Sequence, residues 1–168
     1  MGDITVDMKK SHAGFTLVEL LMTLVIASIV VTLAVPAFTE TIRNNRLTTQ
    51  ANELITALNV ARSEAIKRRS NVTVCISSDQ ATCTGGNWQD GWIVRNDSDN
   101  QVLRIFGPMK GSTSVAAADT AFQYTSRGFL ASNAAATLNL CVSTGKPGRQ
   151  IAITPTGRPH NVDPYPTC

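Results

Sequence analysis

The feature that most constrains this chain is the run from Phe15 to Phe38, FTLVELLMTLVIASIVVTLAVPAF, in which Glu19 is the one ionisable group and Lys, Arg, Asn, Gln and His are missing. As a helix rising about 1.5 Å per residue, such a run spans the roughly 30 Å hydrocarbon layer of a bilayer. A cleaved secretory signal has a shorter apolar core, about 7–15 residues, followed by a small-x-small site. Here the run is longer and leads into a polar, helix-compatible segment, so it is read as a retained membrane helix. Lys9 and Lys10 precede it. By the positive-inside tendency they place residues 1–14 in the cytoplasm and the chain beyond residue 42 across the membrane, with Arg43 and Arg46 opposing that orientation. Pro36 lacks an N–H, leaves the Thr32 carbonyl without its helical donor, and is expected to kink the helix rather than break it.

Beyond the membrane run, Leu47, Ala51, Leu54, Leu58, Ala61 and Ala65 recur at spacings of 4, 3, 4, 3 and 4. That period marks an amphipathic helix continuing to about Arg69. Leu54, Ile55 and Leu58 should press onto a sheet, while Arg62, Lys67, Arg68 and Arg69 take other faces or the last turn. After Ser70 the pattern changes to short alternating runs separated by turn residues, with strands expected at 72–77, 91–96, 101–107, 121–126, 136–143 and 149–154. The whole is 168 residues with 16% charged and 5% aromatic residues, enough for one modest domain with a small core. The expected class is α+β: a long kinked N-terminal helix, membrane half then amphipathic half, packed on antiparallel sheet.

All four cysteines, Cys75, Cys83, Cys141 and Cys168, lie beyond the membrane run. An even count in an exported domain implies two disulfides in an oxidising compartment. Of the three possible pairings, Cys75–Cys83 with Cys141–Cys168 is preferred, because it closes a short local loop and staples a tail containing Pro159, Pro164 and Pro166; four buried free thiols are the alternative. No C-x-x-C pair exists and no metal site is expected. Asp97 and Asp99 read as a turn, not as a calcium loop. Gly85-Gly86 reads as a tight turn inside a disulfide-pinned loop, and Trp88, Trp92 and Phe106 as core aromatics of a sheet. Apart from His12 near the N-terminus, His160 is the one histidine. No nucleophile, base and orienting acid can be assembled around it, so neither an enzyme nor a cofactor is expected. From Arg43 onward 13 Lys and Arg stand against 8 Asp and Glu, a mild basic excess of +5.

The segment GFTLVELL at 14–21, preceded by two lysines, resembles the signal of type IV prepilins. The resemblance implies that a prepilin peptidase cuts after Gly14 and that the new terminus, Phe15, is N-methylated. It also implies that the Glu19 carboxylate pairs with the N-terminal amine of a neighbouring subunit. A carboxylate in an apolar span costs about 2.5–3.5 kcal/mol by insertion scales, so a partner is needed there; an interfacial, snorkelling glutamate is the plainer alternative. The stretches LITALNVARSEAIKRRSNVTVCIS at 54–77 and NWQDGWIVRNDSDNQVLRIF at 87–106 resemble the GspH/FimT-like minor pilins and pseudopilins.

Some FimT-like proteins contact DNA through a C-terminal Gly-Arg-x-Arg motif. This chain has Gly157-Arg158-Pro159-His160, with histidine in place of the second arginine. Arginine is permanently charged and binds phosphate bidentately, whereas histidine is only partly protonated near neutral pH. Lys146, Arg149 and Arg158, with His160, are expected to form one small patch for double-stranded DNA.

The organisation that follows is a leader at 1–14, a transmembrane half-helix at 15–42 and a periplasmic pilin-like domain at 43–168. The expected function is that of a minor pilin or pseudopilin in the bacterial inner membrane, built into a type IV pilus or a type II secretion pseudopilus near its tip. Its partners would be other pilins or pseudopilins, the prepilin peptidase, the inner-membrane assembly platform and the lipid bilayer. A DNA-binding minor pilin for natural transformation is the alternative.

Overall fold

The computed structural model describes residues 14–162 and 167–168. Residues 1–13, with Lys9, Lys10 and His12, and the tail prolines Pro164 and Pro166 lie outside them. The chain divides into two compact units, one ending at Thr41 and one beginning at Ile42. Helix α1, Leu17–Arg68, belongs to both.

In the first unit α1 starts on a cap that sequence reading missed. Thr16 Oγ1 accepts the Glu19 N–H at 3.2 Å and its carbonyl accepts the Leu20 N–H at 3.1 Å. This is the Thr-x-x-Glu signature of a helix start. The helix runs through Pro36 without a break, as expected. Within the apolar run Thr23, Ser28 and Thr32 donate their hydroxyls to the carbonyls three residues back, at 2.7–2.8 Å, so these polar hydrogens are satisfied inside the helix. Large apolar side chains on all sides, from Leu17 to Ile42, are more than half exposed.

From Leu47 the same helix becomes one-sided. Leu47, Ala51, Leu54, Leu58, Ala61 and Ala65 are buried, together with Ala57, while Ile55 is only a half-buried flank of the core. Lys67 and Arg68 in the last turn pair with Glu64 at 3.5 and 2.6 Å. The first carboxylate–guanidinium hydrogen bond, to Arg68, holds the Glu64 carboxyl below its usual range. Arg69, at φ 53°, turns the chain out of the helix, and the Ser70 N–H returns to the Ala65 carbonyl.

Eight strands follow in two four-stranded antiparallel sheets. In chain order they are β1 Val72–Ile76, β2 Trp92–Asn96, β3 Val102–Phe106, β4 Ser114–Ala117, β5 Ala121–Tyr124, β6 Ala136–Cys141, β7 Arg149–Ile153 and β8 Pro159–Asn161. The first sheet has the order β3-β2-β1-β5 and the second β4-β6-β7-β8. Six of these elements lie within the expected ranges. The two additions, β4 and β8, are edge strands. Ser-Val-Ala-Ala has little strand propensity of its own and is held by pairing with β6. β8 begins on a proline, which an edge strand tolerates at its first position.

Val72 and Val74 of β1, Trp92 and Val94 of β2, Tyr124, and Leu138, Leu140, Ile151 and Ile153 of the second sheet share one core with the buried face of α1. Each fully buried side chain of this size contributes about 1.5–3 kcal/mol. Trp88 stacks on Phe122 and Trp92 on Phe106, each at 5.4 Å between ring centroids, and Trp88 Nε1 donates to the Asp119 carbonyl at 3.0 Å. These aromatics are core residues, as read from the sequence.

Candidate functional site

Three groups of residues were candidates for function: the helix start, the cysteines and the basic tail. At the helix start, Gly14 is exposed and a Cβ there would meet nothing within 4 Å. Phe15 is 82% exposed. Glu19 lies in the first turn of α1 and is exposed. A carboxylate there complements the positive end of the helix dipole, which gives Glu19 a local role beside any intermolecular one.

Both disulfides are formed in the preferred pairing, Cys75–Cys83 and Cys141–Cys168. Cys75 lies on β1 opposite Ile93 and Ala121. Gly85 and Gly86 fall just beyond the ring it closes with Cys83, which corrects their expected place inside the loop. Within that loop Asp79 accepts hydrogen bonds from the Thr82 hydroxyl at 2.6 Å, the Thr82 and Ala81 N–H groups and the Ser77 hydroxyl. These donors hold its carboxyl far below the usual range. At the other bond, Gly145 N–H donates to the Cys168 carbonyl at 2.7 Å and Cys168 N–H to the Lys146 carbonyl at 3.0 Å, so the end of the chain is tied to the β6–β7 connection by more than sulfur.

The basic residues do not form the single patch expected of Lys146, Arg149 and Arg158. Lys146 and Arg149 flank the start of β7, where Arg149 donates to the Gly148 carbonyl at 2.8 Å and the Thr48 hydroxyl at 3.2 Å. Arg158 lies past the other end of β7, with its N–H on Thr154 Oγ1 at 3.1 Å and its carbonyl on the Thr154 N–H. Five residues of strand separate the two positions, roughly 17 Å at about 3.3 Å each. The physical reason is the extended strand: Arg149 opens β7 and Arg158 follows the turn at its far end, while β8 runs back and sets His160 opposite Ala152.

Other arginines occupy the Arg158 end. Gly128 and Gly157 touch, since a Cβ on Gly157 would run into the Gly128 carbonyl. Arg127 and Arg158 therefore flank one turn-to-turn contact, and Arg62 of α1 donates through Nε to the same Gly128 carbonyl at 3.1 Å. His160, exposed on β8, lies two residues beyond Arg158. Phe129 and Ile66 are 44% and 49% exposed beside this group. Among the described residues no cluster of His, Cys, Asp and Glu could hold a metal ion.

Residues 50–157 match the type II transport protein GspH family, and residues 9–35 match the prokaryotic N-terminal methylation motif. No match is found among curated protein sequences. Two crystal structures of the type IV minor pilin FimU from Pseudomonas aeruginosa PAO1 share the fold. The form in space group P21 gives a TM-score of 0.63 at 21% identity, covering 75% of this chain and 97% of that one. The form in P65 gives 0.59 at 23% identity, covering 73% and 99%. A methylation motif ahead of a GspH domain, on a long helix packed against antiparallel sheets, identifies the chain as a member of the GspH family.

Proposed function

We propose that the chain is anchored in the inner membrane by residues 15–42, with residues 43–168 in the periplasm, and is built into the fibre near its tip, where it acts in initiation and assembly as a structural subunit. The leader 1–14 is removed by prepilin peptidase after Gly14 and Phe15 is methylated; Glu19 then pairs with the amine of a neighbouring subunit. The observation that carries this reading is the helix apolar on every side from Leu17 to Ile42, with Glu19 its only carboxylate before Glu40. Such a surface is stable only against lipid or other apolar helices. The test is Glu19→Ala in cells that assemble the fibre. The variant is expected to be processed and inserted normally yet to be missing from sheared fibres. Normal incorporation would overturn the role of Glu19. Gly14→Val is expected to leave the 168-residue precursor uncut, read by mass spectrometry of membranes.

One observation favours the DNA-binding reading as a second function. Arg62 donates to the Gly128 carbonyl at the Gly128–Gly157 contact, and Arg127 and Arg158 are the chain neighbours of those two glycines. Detergent-solubilised chain would then bind double-stranded DNA of unrelated sequences about equally. Removing Arg127 or Arg158 would each reduce the slope of log affinity against log salt by roughly 0.9, and removing Lys146 would change it less. No salt-sensitive binding at low ionic strength would exclude this reading.

A further inference from the structure

Between residues 46 and 53 of α1, the β3–β4 connection leaves a groove of about 390 Å³ walled by Arg46, Gln50, Glu53, Pro108, Met109 and Lys110. That volume falls in the range of ligand sites, about 300–1,000 Å³. Gln50 ties the two walls together: it is 4% exposed and its Nε2 donates to the Lys110 carbonyl at 2.9 Å. The guanidinium of Arg46 lies over Gly111. Among the described residues neither Arg46 nor Lys110 has a carboxylate within ion-pair distance. With Glu53 as the one acid in the wall, two cations against one anion leave the groove a net charge of +1. Pro108 and Met109 add an apolar surface, and methionine adapts its shape to what it meets.

We propose that this groove receives an extended acidic segment of a neighbouring pilin-type subunit. An Asp or Glu carboxylate of the segment sits between Arg46 and Lys110, and an adjacent apolar side chain covers Pro108 and Met109. Charge complementarity selects the occupant: lipid tails would leave both cations unanswered, and a basic segment would be repelled. The inference rests on the fibre-subunit reading and adds to it a place of contact.

The test uses the full chain carrying a photoreactive residue at Thr49, an exposed position on the groove wall. It is expressed in cells that assemble the fibre, irradiated, and the cross-links in sheared fibres are mapped by mass spectrometry. The expected product joins position 49 to a stretch of another pilin-type subunit that contains Asp or Glu. Lys110→Glu and Arg46→Glu should each lower its yield about tenfold, while Lys110→Arg should keep it within about twofold. Formation of both disulfides in each variant establishes that it folds. If the chain is in fibres but position 49 joins lipid, a segment without Asp or Glu, or nothing, the groove inference is overturned and the fibre reading stands. Absence of the unsubstituted chain from fibres overturns both.

Discussion

Gly157 is the residue at which a functional motif and a structural demand coincide, and replacing it separates the two. It ends the turn between β7 and β8, at φ +77°, with its N–H on the Thr154 carbonyl at 2.8 Å. A left-handed backbone costs a residue with a side chain roughly 1–2 kcal/mol. A Cβ at this position would also strike the Gly128 carbonyl and come within 2.9 Å of Tyr124 Cε1. Carbonyl and ring are both held in the core region, and overpacking of that kind adds about 1–3 kcal/mol. Gly157→Ala is therefore expected to destabilise the domain by about 2–5 kcal/mol. Gly145 is the internal control: its φ is +75° and a Cβ there meets nothing within 4 Å, so Gly145→Ala carries the backbone penalty alone. For a domain of this size 1 kcal/mol shifts Tm by about 3–5 °C, which predicts losses of about 6–25 °C for Gly157→Ala and a smaller loss, about 3–10 °C, for Gly145→Ala. Arg158→Ala, at an exposed side chain, should stay within about 0.5 kcal/mol. The assay is thermal unfolding of detergent-solubilised chain followed by tryptophan fluorescence. Equal losses for the two glycine variants would refute the steric argument.

Replacing Cys141 and Cys168 by serine opens a loop of 27 residues, against 8 for Cys75 and Cys83. The chain-entropy relation gives about 3.5 and about 2.5 kcal/mol, so in denaturant titrations the tail pair should be the more damaging loss. The Tyr124 hydroxyl is buried with no hydrogen-bond partner among the described residues, and burial, partly opposed by Arg62, pushes its phenol above the ordinary range. Tyr124→Phe should therefore hold or raise stability, by up to about 1 kcal/mol, and a loss of more than that would mean the hydroxyl is satisfied in solution. Because the folded Asp79 carboxyl is depressed below its unfolded value near 3.8, the stability it supplies is complete above that value and fades as pH falls through the lower folded one. Asp79→Asn should lower Tm at pH 7 and flatten the decline of Tm below about pH 4; an unchanged decline would assign the acid transition to other carboxylates.

The parts of this fold that could be read from the sequence are those encoded by local period. The spacing of Leu47, Ala51, Leu54, Leu58, Ala61 and Ala65 identified the buried face of α1, because a one-sided helix must repeat every three or four residues. The cap at Thr16 is equally local, a four-residue signal in which Glu19 belongs both to the helix start and to the assembly motif. What could not be read depends on pairing between distant segments. β4 exists because β6 offers it an edge. The arginine group joins Arg62 to Gly128, 66 positions away, and the groove joins Gln50 to Lys110, 60 positions away. Conversely, closeness in sequence hides a separation: Arg149 opens β7 and Arg158 follows the turn beyond its far end.

The first half of α1 raises a question of driving force rather than of shape. A helix apolar on every side gains little hydrophobic free energy in passing from lipid to a bundle of similar helices, because hydrocarbon tails are as apolar as leucine. If the chain leaves the membrane for a fibre, direction must come from polar groups. In the proposed assembly two are available. Glu19, costing about 2.5–3.5 kcal/mol when unpaired in an apolar span, is relieved by an amine in the fibre that lipid does not supply. Beyond the apolar run, Arg46 and Lys110 gain an acidic partner only when another subunit arrives. On this view Glu19→Ala and Lys110→Glu act on the same transfer from its two ends. Their effects on fibre incorporation should add on a logarithmic scale, since the residues share no partner. A double variant no worse than the poorer single one would show that one of the two contacts does not drive assembly.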